Sequence, residues 1–239
     1  VARAAQFGAP ALAITDRDSL AGVIRFVQAA KDFGIAPIVG VNLALDNSRV
    51  TLLAQSGTGT DSGWRSLCRL MSALRPDRNP PTLHLEKIKT LSEYTSNLIL
   101  LHGPDSQIAN LITKHRPDQA LHEFNKYRPY FADSVIECVS HLAPGDGPRS
   151  TGHAGRMLGF ARDHDLPAVI TNGVRMLDAA DGPVADILDA ARKLVPLHKR
   201  HVERENNEAY LKDNQQMRDL ADEISRAAGE RSGRALLRT

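Results

Sequence analysis

Three short segments carry side chains able to do chemistry together. Thr15-Asp16-Arg17-Asp18 follows one buried apolar run, Glu137 to His141 spans the end of another, and Thr171-Asn172-Gly173-Val174-Arg175 follows a third. Acids, an imidazole and an amide converging at one rim would suit a metal-dependent phosphoesterase, because hard cations take carboxylate and imidazole ligands and hold an activated water against a phosphate. Plainer roles compete. Asp16 and Asp18 are equally suited to capping a helix and pairing with its dipole. His141 precedes a Pro/Gly-rich loop, where a lone histidine is most often a hydrogen-bonded or surface residue. Glu137 is more informative, since a carboxylate inside an apolar strand must be paired, ligated or rim-exposed. Arg17 and Arg175 oppose a metal: two permanent cations near one rim repel a third and can pair with Asp16, Asp18 or Glu137 instead.

These residues need strands to position them. Ala11 to Thr15, Ile38 to Leu43, Val50 to Ala54, Leu98 to Leu101, Ser134 to Val139 and Pro167 to Thr171 are apolar runs of strand length. Helices are expected between most of them. One carries Val23, Phe26, Val27 and Ala30, is capped by Asp16, Asp18 or Ser19, and is stopped by Gly34. Another carries a stripe of Trp64, Leu67, Cys68 and Met71. Weaker helical character runs from Leu85 to Tyr94, and further helices cover Gln107 to Lys114, a segment with Ala154, Met157, Leu158 and Ala161, Pro183 to Leu194, and Tyr210 to Gly229. Residues 56–62, 75–82 and 143–150 are expected loops. Methionines and aromatics are expected in the core. About six strand–helix units imply a parallel sheet buried on both faces, as a barrel or doubly wound fold, with strand C-termini converging on one rim.

Composition narrows the function. The 239 residues are 42% hydrophobic and 24% charged, enough for a core without disulfides or metal. Thirty Lys and Arg against 28 Asp and Glu give a formal charge of +2, which excludes strong electrostatic capture of DNA as a default. Cys68 and Cys138 lack metal-site spacing, and a reducing, cytoplasmic setting fits. Apolar runs such as 36–45 fall short of the roughly 20 residues of a membrane span, so no membrane partner is expected. Val1 to Gly8 resembles the second half of an amphipathic helix, as in a piece of a longer protein. Gly103-Pro104-Asp105-Ser106 is a turn and N-cap without P-loop spacing, no nucleophile elbow is present, and His198-Lys199-Arg200-His201 is soon answered by Glu203 and Glu205 as in a solvated face.

Residues 11–26 (ALAITDRDSLAGVIRF), 34–43 (GIAPIVGVNL) and 166–175 (LPAVITNGVR) resemble the polymerase-and-histidinol-phosphatase (PHP) domain that opens bacterial C-family DNA polymerases. Residues 194–212 are similar to the error-prone alpha-subunit type of actinobacteria. The resemblance implies an α/β fold, a distorted β/α barrel of about seven largely parallel strands surrounded by helices. It implies a PHP-like barrel over 1–195 lacking its first strand, and a helical extension over 196–239 leading toward the polymerase palm and thumb.

In active members such a rim binds up to three metal ions and hydrolyses phosphoesters, sometimes as a 3′–5′ exonuclease. Several positions depart from that pattern. Arg17 stands for the His of Thr-Asp-His, Asn42 for the Glu of Gly-Val-Glu, Arg49 for a His, and Gly173 and Arg175 for the Asp and His of Asn-Asp-Val-His. Asp16, Glu137, His141 and Asn172 stay close to it. The expectation is a vestigial rim of Asp16, Arg17, Asp18, Asn42, Glu137, His141, Asn172 and Arg175 with no catalysis, metal or cofactor of its own. The parent polymerase would use magnesium, contact DNA, and supply palm and thumb as partners. An active phosphoesterase or exonuclease is one alternative; a free-standing protein whose rim arginines hold an anion is another.

Overall fold

The computed structural model describes residues 1–55, 62–74, 81–201 and 204–229. The expected loops at 56–61 and 75–80 lie outside the described residues. The elements in chain order are α1 (Ala2–Gln6), β1 (Ala11–Ile14), α2 (Val23–Asp32), β2 (Ala36–Leu45), β3 (Ser48–Ala54), α3 (Gly63–Ala73), β4 (Thr82–Leu83), α4 (Leu85–Thr90), α5 (Ser92–Thr95), β5 (Leu98–His102), α6 (Gln107–Thr113), α7 (Pro117–Tyr127), β6 (Asp133–Val139), α8 (Thr151–Asp163), β7 (Ala168–Thr171), α9 (Gly182–Lys193) and α10 (Asn214–Ala227). No helix among the described residues is long and apolar enough to cross a membrane.

The strands form one sheet in the order β1-β2-β3-β5-β6-β7, with β4 beside β2. Ladders β1–β2, β2–β4, β5–β6 and β6–β7 are parallel, and β3 runs antiparallel to both neighbours. This is the largely parallel, helix-surrounded sheet expected; among the described residues no ladder joins β1 to β7. The sequence pattern missed the reversal of β3, because β2 and β3 are joined by a tight turn at Asp46, which takes positive φ, rather than by a helix.

Register assigns the faces. Val41, Leu43, Val50, Leu52, Leu98 and Leu100 are fully buried with Leu67, Leu70, Leu83 and Ile88 from the helices and the short strand β4. Ile136, Cys138 and Ile170 pack with Ile108, Phe124, Met157, Phe160 and Ile224 in a second core. Each fully buried side chain of this size contributes roughly 1.5–3 kcal/mol. The opposite face carries Asn42, Arg49, Thr51, Glu137, Val169 and Thr171, all only half-buried. The candidate polar residues thus share one face of the sheet, which also carries the buried Leu101 and Val139.

Local differences have physical causes. Helix α2 begins at Gly22 with no side-chain cap, and Ser19 Oγ instead accepts from Ala21 N at 3.1 Å, so the expected capping by Asp16 or Asp18 does not occur. The buried stripe of α3 is Leu67, Leu70 and Met71, leaving Trp64 37% exposed; Phe33 is likewise exposed, against the expectation that aromatics are core. Helix α7 escaped notice although Pro117 starts it and Ala120, Phe124 and Tyr127 recur at helical spacing. Gly34 ends α2 with φ of +68°, as expected.

Candidate functional site: the polar rim of the sheet

Beyond the end of β1 the ladder continues through the candidate residues. Asn42 N donates to Asp16 O at 3.0 Å and Asp18 N to Asn42 O at 2.9 Å, which fixes the Asp16–Asp18 segment beside β2. Arg49 enters from antiparallel β3, one diagonal step from Asn42. Its Nε donates to Asn42 Oδ1 at 2.7 Å, and one Nη donates to Asn42 O at 2.8 Å and to Asp18 Oδ1 at 2.7 Å. Asn42 Nδ2 donates to Thr51 Oγ1 at 3.2 Å. Arg17 Nε lies 3.8 Å from Asp18 Oδ2. The guanidinium of Arg49 thus occupies the space between Asp18 and Asn42. Asp16 is exposed, and its Oδ2 would stand 2.6 Å from a Cβ built on Gly22, so the carboxylate rests against the start of α2.

Glu137 sits across β6–β7. Thr171 Oγ1 donates to its Oε1 at 2.8 Å, and its Oε2 lies against Gly103, where a Cβ would collide with it. Burial pushes its carboxyl pKa up, against the Thr171 hydrogen bond; the charge of Asp105 adds to the rise and that of Arg149 opposes it. Asp105 and Arg149 pair at 2.5 Å, and Arg49 N donates to Asp105 O at 3.0 Å, joining the two clusters.

His141 Nε2 donates to Asn172 O at 2.7 Å, which puts the ring proton on that nitrogen. Burial holds its pKa below the ordinary histidine value, outweighing that hydrogen bond, and the charges of Arg149 and Lys212 act in the same direction. Asn172 Nδ2 donates to Glu208 O at 3.0 Å and Tyr210 O at 2.7 Å, while its Oδ1 is buried without a partner. Arg175 turns away to Asp189, at 2.7 and 2.9 Å to its two carboxylate oxygens. Burial alone would raise the Asp189 pKa, but Arg175 and Arg192 together hold it below the usual carboxylate value.

The structure therefore brings Asp16, Arg17, Asp18 and Asn42 together around Arg49, and Glu137, His141 and Asn172 together beside Arg149; Arg175 belongs to neither group. Its partner is Asp189, not Asp16, Asp18 or Glu137 as the sequence suggested. Asp105, Arg149 and Asp189 escaped sequence reasoning. Asp105 lies in a turn that reads as an N-cap, and Arg149, 44 positions away, has no spacing that ties it there.

This donor set does not fit a divalent cation. An amide and a guanidinium fill the first cluster. Among the described residues no group of three or more His, Cys, Asp and Glu is placed to hold a metal. Each carboxylate named above except exposed Asp16 has a hydrogen-bond donor, a guanidinium for Asp18, Asp105 and Asp189 and the neutral Thr171 hydroxyl for Glu137.

A family model described as PHP domain matches residues 1–141. An error-prone DNA polymerase of Symbiobacterium thermophilum is 33% identical over 234 residues, covering 89% of this chain and 21% of that protein. The DNA polymerase III subunit alpha of Escherichia coli is 30% identical over 190 residues, covering 76% of this chain and 16% of that protein. The chain thus spans about a fifth or less of the length of these curated relatives. A Bifidobacterium adolescentis protein, described only provisionally as a metal-dependent phosphoesterase, superposes with a TM-score of 0.40 at 14% identity over 72% of this chain and 79% of its own, a likeness too remote to bear on function.

Proposed function

This chain belongs to the PHP domain family, and on that premise we propose that it is the PHP module of a C-family DNA polymerase of the error-prone type, a scaffold without hydrolysis of its own. The observation that carries the second half is the Arg49 guanidinium, seated between Asp18 and Asn42 and bonded to both. A fixed cation there opposes a divalent ion by Coulomb repulsion and occupies Asp18 Oδ1 and Asn42 Oδ1. The polymerase half is supported by the identity to an error-prone polymerase over 89% of the chain. In this reading magnesium and nucleotidyl transfer belong to the remainder of the parent chain, which is also the module's partner and its route to DNA, in the cytoplasm.

The test uses the full-length parent protein loaded with manganese or zinc. We expect elemental analysis to find no ion that Asp16→Asn or Glu137→Gln removes, and any 3′–5′ digestion of a primer–template to be unchanged by those substitutions. Stoichiometric metal, or hydrolysis, that either substitution abolishes would establish the active phosphoesterase instead.

A further inference from the structure

Helices α3 and α5 border a cavity of about 500 Å³. Arg65, Ser66 and Arg69 of α3 line one side, and Glu93, Tyr94 and Asn97, in and after α5, line the other. Asn97 precedes β5, at the end of that strand away from Gly103 and the rim. The seat is rigid: Gly63 N donates to Gln55 O at 3.2 Å and Gln55 N to Asn97 O at 3.1 Å, and a Cβ on Gly63 would collide with both backbones. Arg65 and Arg69 stand one turn apart on a helix face, where like charges repel. Among the described residues neither guanidinium has a carboxylate partner, and Arg69 lies 5.9 Å from the centre of the Tyr94 ring. Glu93 instead takes the Tyr94 hydroxyl. Ser66, only 5% exposed, accepts from Asn97 Nδ2 at 3.2 Å, and among the described residues its own proton has no acceptor.

We propose that this cavity binds a phosphate monoester of the nucleotide class. Two guanidinium forks and a buried hydroxyl call for three oxygens arranged tetrahedrally, as on a phosphate, rather than the planar pair of a carboxylate. The anion relieves the repulsion between the arginines, whose charge exceeds the single opposing charge of Glu93. Ser66 gains the acceptor it lacks. The half-buried Tyr94 ring supplies a flat wall for a sugar or base, and the volume is that of a small-ligand site. No residue is shared with the rim, and the site stands whether or not the parent chain is a polymerase.

The test treats the full-length protein with phenylglyoxal, which modifies accessible arginines, and follows each arginine by peptide mass spectrometry. Exposed Arg25 on α2 reports open surface in the same sample. We expect deoxyadenosine 5′-monophosphate to slow modification of Arg65 and Arg69 roughly fivefold while leaving Arg25 unchanged, with half-protection below ~1 mM. Ser66→Ala should remove most of that protection, a loss that diffuse attraction of anions to surface arginines would not produce. A 5′-phosphorylated oligodeoxynucleotide, set against the same strand without its phosphate, distinguishes a DNA end from a free nucleotide as the source: whichever protects at lower concentration is the ligand. No protection by either, equal slowing at Arg25, equal protection by the unphosphorylated strand, or protection undiminished in Ser66→Ala overturns the site. Because each arginine is read separately, nucleotide held elsewhere in the parent chain does not register.

Discussion

Glu137 is a carboxylate held where water is scarce, with one donor from Thr171 and a glycine against its other oxygen. Below its ordinary pKa of 4.5 it is protonated folded or unfolded and its burial costs little; as pH rises above that value the unfolded chain ionises freely while the folded one resists. The stability that the neutral acid confers is thus lost with rising pH. Glu137→Gln keeps an acceptor for Thr171 and removes the charge. We expect it to raise the melting temperature at pH 7 by roughly 2–4 °C, about 1 kcal/mol in a domain of this size, with the gain vanishing below pH 4.5. A loss of stability at neutral pH would show the ionised carboxylate to be well solvated or paired.

At the scale of elements, Arg49 ties β3 to β2 and to the segment beyond β1. Arg49→Ala leaves Asn42 Oδ1 without its 2.7 Å donor, and the expected cost is about 1–3 kcal/mol in chemical denaturation. Arg49→Lys should recover only part of it, since an ammonium cannot reproduce the fork that spans Asn42 and Asp18; full recovery would mean that charge alone matters. Elements were also where the sequence was most and least legible. Strand β5 stood out because Leu98 to Leu101 is a continuously apolar run. The family motifs and the substitution of Arg for His at position 49 were legible too, so the crowding of the rim was foreseeable in kind. What escaped was whatever depends on partners distant in the chain: the Asp105–Arg149 pair, the turning away of Arg175 toward Asp189, and the two-residue β4, too short for any periodicity. Helix α9, whose Val184, Ile187 and Leu188 face solvent, read as an ordinary helix because spacing reports a face without saying which way it turns.

For the whole molecule, acid is the expected weakness. His102 is buried with Nε2 unpartnered and packs against Phe124, and burial pushes its pKa down to about 3. Burial also lowers His141 and His153. A histidine kept neutral in the fold supports stability above its unfolded pKa of 6.5, and that support drains as pH falls toward the folded value. For His102 the loss between pH 6.5 and 3 is on the order of 3–5 kcal/mol. His102→Leu should flatten the acid limb of the stability–pH curve over that window, and an unchanged limb would assign acid sensitivity elsewhere. Glu137 titrates in the opposing sense and softens the decline.

The reversed strand β3 is clamped on both edges, between β2 and β5, and joins the sheet's two packed halves. Alternate residues along it serve opposite masters: Val50 and Leu52 are hidden among aliphatics, whereas Arg49 and Thr51 serve the rim. Losing one codon inside β3 would exchange those duties along the strand, presenting leucine to the rim and driving a guanidinium into oil. Evolution can therefore edit the length of this segment only in even steps, and an odd deletion there should be lethal to folding however conservative the flanking residues.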